Sequence, residues 1–258
     1  MSAITLQIDL TITVVSSLSV GAAGSSGGLA DKVLLRDGRN RPIIPGSQIK
    51  GRIRHTCERI ARTLGCAVCD SPDPQRMCPY DQRIQRRASE QFHIERAGGA
   101  ALQCVICALF GSPAYPSPLI FGDAVYYPSL QGTGDQHAST HQTDQQPSTI
   151  PARLRHGVGI DRRRRTALEE LLYTVETTDT WLKLKGMIAG RWLDTGIEEL
   201  RPLAGLLIAG ARQTTRWGGG SSRGLGWAEV NIGVQINGRP ESADELIGEV
   251  RKLCAIES

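Results

Sequence analysis

Ile4, Leu6, Ile8, Leu10, Ile12 and Val14 alternate strictly with polar residues. A period of two predicts a strand with one buried face and one face left to solvent or to something polar. A Gly/Ser-rich loop follows at 21–28, then a short extended piece at 33–35. After Gly46 the period changes: Ile49, Ile53, Cys57, Ile60 and Leu64 form one helical stripe, with the cations largely off it. Pro45 and Gly46 break the preceding extended run, and Ser47 reads as the N-cap.

Residues 119–127 read as a strand and 128–150, almost free of apolar residues, as a mobile loop or hairpin tip. Strands are expected over 168–178 and 181–190. A helix is expected over 197–214, with Leu200, Leu203, Leu207 and Ala211 inward. A Gly-rich turn at 218–226, a strand at 227–236 and a short helix at 242–253 complete the pattern. Residues 66–118, rich in Pro, Cys and Arg, interrupt it and read as an insertion held by something other than a core. Strand, helix, strands, helix, strand is the order of a ferredoxin-like α+β fold carrying insertions. RNA-recognition modules use this RRM-like architecture and bind on the open sheet face.

The 258 residues and 40% hydrophobic content suit an ordinary folded core, and the net charge of +4 says little alone. Placement says more: 36–65 carry eight cations against Asp37 and Glu58, and 153–165 carry six against Asp161. Of 30 cationic residues, 25 are Arg, the residue suited to bidentate phosphate contact. Such clustering is an electrostatic footprint for nucleic acid. The N-terminus has neither a basic n-region nor an apolar h-region, and the run Pro202 to Ala211 is too short to span a bilayer. A cytoplasmic location and no membrane partner are therefore expected.

Seven cysteines in that setting point to metal rather than disulfides. Cys66-x-x-Cys69 and Cys104-x-x-Cys107 are two thiolate pairs, with Cys78 between them, and four thiolates make the tetrahedral site that structural zinc prefers. Five candidates compete for four places, and His93 could replace a thiolate. Cys57 and Cys254 fit core positions.

Three segments offer anion contacts. Arg36, Ser47, Lys50, Arg52 and Arg54 surround a helix start, where backbone N–H groups favour phosphate. Gly219, Gly220, Ser221, Ser222 and Arg223 lie in RWGGGSSRGLG, where consecutive glycines let backbone donors approach an anion. Arg162, Arg163 and Arg164 follow Ile160-Asp161 beside the polar loop and suit a phosphate backbone.

Together PIIPGSQIKGRIR (42–54), the C-x-x-C before ALFGSP (104–113), GVGIDRRRRTA (157–167), YTVE (173–176) and GGGSSRGLGWAEV (218–230) resemble the RAMP superfamily. The similarity is to the backbone subunits of type III CRISPR effector complexes, often called the Cas seven family. The resemblance implies a single domain over 1–258, with a ferredoxin-like palm that polymerises along a guide CRISPR RNA. Insertion 66–118 would be a zinc-binding element, and 125–165 a thumb hairpin placed between guide and target RNA. Implied partners are guide, target and other effector subunits, including copies or homologues of this chain.

In active relatives a loop aspartate ahead of the R-D…P-x-I-P-G-S motif cuts target RNA, and Asp31 falls at that position, flanked by Ala30 and Lys32. One carboxylate can help hold Mg²⁺ or another divalent cation that is otherwise bound through RNA and water. A non-cleaving scaffold is the alternative. A metal-independent ribonuclease would need a positioned histidine, for which His55 and His156 are the candidates.

Overall fold

The computed structural model describes residues 3–21, 30–81, 84, 103–127, 150–193 and 195–253. Most of the expected Gly/Ser loop, His93, the polar segment 128–149 and Cys254 lie outside these. In chain order, β1 (Ile4–Val14) and β2 (Ile43–Ile44) precede helix α1 (Gly46–Thr63), and α2 (Val105–Phe110) precedes β3 (Leu119–Phe121) and β4 (Ala124–Tyr126). Then come β5 (Arg153–Asp161), β6 (Thr166–Thr177), β7 (Leu182–Trp192), α3 (Ile197–Gln213), β8 (Ala228–Ile236), β9 (Arg239–Pro240) and α4 (Ala243–Gly248).

The fold is mixed α+β, and every strand pair is antiparallel. The main sheet runs β2-β4-β7-β1-β8-β9, with β3 also on β7, while β5 and β6 form a separate ribbon. β1 is central because its alternation works: Leu6, Ile8, Leu10, Ile12 and Val14 are at most 1% exposed. Ile8 lies level with Ile188 and Val234 on the flanking strands, so one apolar row crosses three strands. The opposite face carries Thr5, Gln7 and Asp9, all exposed.

Helices cover the apolar face. Ile49, Ile53, Cys57 and Ala61 recur every fourth residue of α1 and are completely buried. Gly210 in α3 lets the two helices meet, since a Cβ there would lie 2.2 Å from Cys57 Sγ. Burial pushes the Cys57 thiol up, as expected of a core residue. No helix among the described residues is long and apolar enough to cross a membrane.

Three expectations need correction. The strand over 119–127 is two strands, because Gly122 donates to Met187 O and Asp123 turns away to meet α1. The C-terminal helix stops at Gly248 and continues as a 3-10 turn over Glu249–Leu253. The insertion has apolar packing of its own: every residue of α2 is buried in the main core cluster or at its edge. The paired β5–β6 ribbon spans 153–177.

Candidate functional site

The helix start differs from its sequence reading. The N-cap of α1 is Pro45, not Ser47, whose exposed side chain belongs to the first turn. The Gly46 N–H donates to Asp123 Oδ1 at 2.7 Å, so a carboxylate from the β3–β4 break already sits at the positive end of the helix. Three nearby cations are also tied into the chain. Arg36 Nη1 and Nη2 donate to Asn40 O and Ile150 O at 2.9 and 2.8 Å. Arg52 Nη2 donates to Gly218 O at 2.7 Å. Arg54 donates to Glu58 Oε1 at 3.1 Å and to Gly111 O at 3.2 Å.

One turn further on, an open cleft of about 330 Å³ lies between α1 and the segment after α2, lined by Lys50, Arg54, Phe110, Ser112 and Tyr115. Arg54 Nη2 and Ser112 Oγ are buried there without a hydrogen-bond partner. Orphan buried donors are rare and call for an explanation. Burial pushes the Lys50 ammonium below its ordinary value, and the Arg54 charge adds to the effect. An anion in the cleft would satisfy both orphans and relieve the crowded cations. The sequence named Lys50 and Arg54 as contacts, whereas Ser112 stood out only as part of the ALFGSP motif.

The Gly-rich turn is folded against the segment that follows β1. Gly218 has a φ of +71° beside Ser19 O, and a Cβ there would lie 2.4 Å from that oxygen. Gly219 N donates to Ser19 O at 2.7 Å, and Gly218 N donates to Gln48 Oε1 at 3.2 Å. Gln48 and Arg52 therefore join this turn to α1. Ser221 is half-buried and Ser222 exposed, in the 3-10 turn after Gly220. Arg223 hydrogen-bonds the Tyr173 hydroxyl and lies 5.2 Å over its ring, which joins the turn to β6. Arg162, Arg163 and Arg164 sit exposed at the ribbon tip, where Arg163 N and Arg164 N donate to Asp161 Oδ1 at 2.8 and 3.2 Å.

Asp31 docks on the same ribbon. Its N–H donates to Thr174 O at 2.9 Å, and Thr174 N donates back to Asp31 Oδ2 at 2.6 Å. Lys32 extends the contact as a parallel bridge to Val175. His156, opposite Thr174 in the ladder, places Nδ1 2.9 Å from the Thr174 hydroxyl. Arg155 Nη2 reaches Ser17 Oγ at 3.4 Å. The α1 start, Gly-rich turn, ribbon base and Asp31 loop thus form one connected arc, although they are scattered along the chain. Among the described residues, Asp31 Oδ1 is the carboxylate oxygen without a hydrogen-bond partner.

Cys69, Cys78, Cys104 and Cys107 converge, buried, with their sulfurs all within 4.8 Å of one another. Among the described residues this is the one group in which three or more metal-ligating side chains come together. Cys69 Sγ lies 3.4 Å from Cys107 Sγ and 3.7 Å from Cys104 Sγ. Thiolates about 2.3 Å from a tetrahedral zinc would stand about 3.8 Å apart, so the set fits such an ion. The backbone N–H of Cys104 also donates to Cys78 Sγ at 3.4 Å, so one member of the set orients another. Hydrogen bonds from the Cys107, Cys69 and Cys78 thiols hold the Cys104 thiol well below its ordinary value, against burial. Cys66 is not in this group, and its sulfur is engaged in a disulfide.

The family model of the RAMP superfamily matches residues 11–229, a span holding the whole arc and all four clustered cysteines. No curated protein matches the chain.

Proposed function

We propose, because the chain belongs to the RAMP superfamily, that it is a guide-RNA-binding backbone subunit of a type III CRISPR interference complex whose Asp31 cuts complementary target RNA. Family membership supports an RNA-binding role in a CRISPR-associated assembly. The observation carrying the finer reading is the docking of Asp31 on the ribbon base, at the end of an arc that begins at the α1 cations.

In this reading the main sheet is a ferredoxin-like palm, since β4-β7-β1-β8 with α1 and α3 on one face follows the β-α-β-β-α-β order. The β5–β6 ribbon is the thumb. The Lys50–Arg54–Ser112 cleft takes a guide phosphate, and Arg162 to Arg164 meet the backbone of the duplex. Ser221, Ser222 and Arg223 border the same path, with Arg36 and Arg52 stiffening its walls. Copies or homologues of the chain would stand side by side along the guide.

Cys69, Cys78, Cys104 and Cys107 would hold a structural zinc that clamps the insertion to α2. A Mg²⁺ or similar ion at Asp31 would have that carboxylate as its ligand from this arc, with RNA and water completing the shell, and would supply charge neutralisation at the phosphate. Cleavage by this route is attack of the target's 2′-hydroxyl on its own phosphate. In this reading Asp31 would orient that hydroxyl through Oδ1, a role supported by the Thr174 N–H holding Oδ2.

The test is a guide-loaded complex carrying Asp31→Ala, assayed on complementary RNA with and without Mg²⁺. Loss of cutting with intact binding supports the proposal. A wild-type complex that binds and does not cut leaves the scaffold reading. Cutting of guide precursor in EDTA would favour a metal-independent ribonuclease.

A further inference from the structure

Thr174 holds two chemically different groups at once. Its backbone N–H donates to Asp31 Oδ2 at 2.6 Å, and its side-chain oxygen meets His156 Nδ1 at 2.9 Å. The threonine is buried while Asp31 and His156 are both exposed. Since one residue spans the two contacts, carboxylate and imidazole lie within roughly 9 Å of each other. A bond at Nδ1 fixes the ring and leaves Nε2 as the nitrogen with no recorded partner among the described residues.

Cleavage by a 2′-hydroxyl needs two proton transfers, one off the attacking oxygen and one onto the departing O5′. An ionised Asp31 can accept but has no proton to give. Something else must protonate O5′, and the nearest titratable group fixed to the same residue is His156. We propose that His156 is the general acid of the cleavage reaction, a role that rests on the assignment of Asp31 above. As the 2′-oxygen–phosphorus bond forms, the phosphorus–O5′ bond breaks and its electron pair goes to O5′. The Nε2 proton passes to O5′, and the 2′-hydroxyl proton leaves to Asp31 or water. The products are a 2′,3′-cyclic phosphate and a 5′-hydroxyl. Thr174 is the positioning residue that orients both groups.

The assay uses guide-loaded complex and two target RNAs, one natural and one with sulfur replacing the bridging 5′-oxygen at the scissile bond. A thiolate departs without protonation, so the sulfur substrate does not need the acid. His156→Gln is expected to slow natural-RNA cleavage about 100-fold or more and to cut the sulfur substrate near the wild-type rate. Thr174→Val keeps the amide that holds Asp31 but removes the hydroxyl, so it should show a smaller loss with the same rescue. Target binding should be unchanged in both. Wild-type cutting of natural RNA by His156→Gln overturns the proposal, as does an equal loss on both substrates. If Asp31→Ala remains inactive on both in those cases, the cleavage assignment stands without its acid. If Asp31→Ala cuts normally, the assignment falls and the acid role with it.

Discussion

Removing one ligand from the four-cysteine cluster should open the insertion and weaken a site some distance from it. Four sulfurs within 4.8 Å, two of the pairs at 3.4 and 3.7 Å, leave little to rearrange on taking up a zinc ion. Structural zinc in small peptides contributes about 10–16 kcal/mol at neutral pH, comparable with the whole stability of a domain. Apart from α2, the described part of the insertion buries little apolar surface besides Met77 and Ile84. The metal is therefore expected to dominate its local stability. Cys104 caps α2 and Cys107 lies within it, and α2 leads into Gly111 and Ser112 at the cationic cleft. Cys78→Ser or Cys69→Ser should thus lose the metal, expose 66–81 to protease and reduce RNA affinity, while the main-sheet core still melts cooperatively. Elemental analysis should give one zinc per chain for wild type and for Cys66→Ser, and close to none for each ligand variant. Acid should release the ion, because every ligand must be a thiolate. Equal loss of zinc in Cys66→Ser, or a wild-type protein free of metal after expression with zinc, would refute the assignment.

Lys50→Ala should weaken guide binding and reduce the slope of log affinity against log salt by about 0.7, the share of one phosphate contact on a single strand. An unchanged slope would remove Lys50 from the RNA path. Asp123→Ala leaves the Gly46 N–H without its acceptor and should cost about 1 kcal/mol, or about 2–4 °C in melting temperature for a chain of this size. Asp123→Asn should lose less, and equal melting of all three proteins would show that the contact carries no weight.

Sequence periodicity located β1 and α3 almost to the residue, because both depend on which side chains a face can bury. What it missed depends on partners far along the chain. Ser47 looked like a cap because a cap is usually local, but the acceptor comes from Asp123, 77 positions away. Arg52 and Arg54 were legible as cations, not as residues already bonded to Gly218 and Gly111. The spacing of the cysteines paired Cys66 with Cys69, whereas the group is completed by Cys78, nine positions beyond Cys69. The sequence offered His156 as a candidate without showing what positions it, and ribbon register explains why. Counting back from the tip pair Asp161–Thr166 would place it opposite Leu171, whereas an irregularity near Gly159 shifts its partner to Thr174.

That same irregularity divides the ribbon mechanically. Below it Arg153–Val158 pairs continuously with Leu172–Thr177, and above it only Ile160 and Asp161 pair, with Ala167 and Thr166. The tip arginines stand on the short upper ladder, while the Asp31 anchor belongs to the lower one. A backbone pulled or bent at the tip strains a joint before it reaches the base. Under the proposed function the ribbon would follow the path of a nucleic acid at one end while Asp31 stays in register with the body at the other.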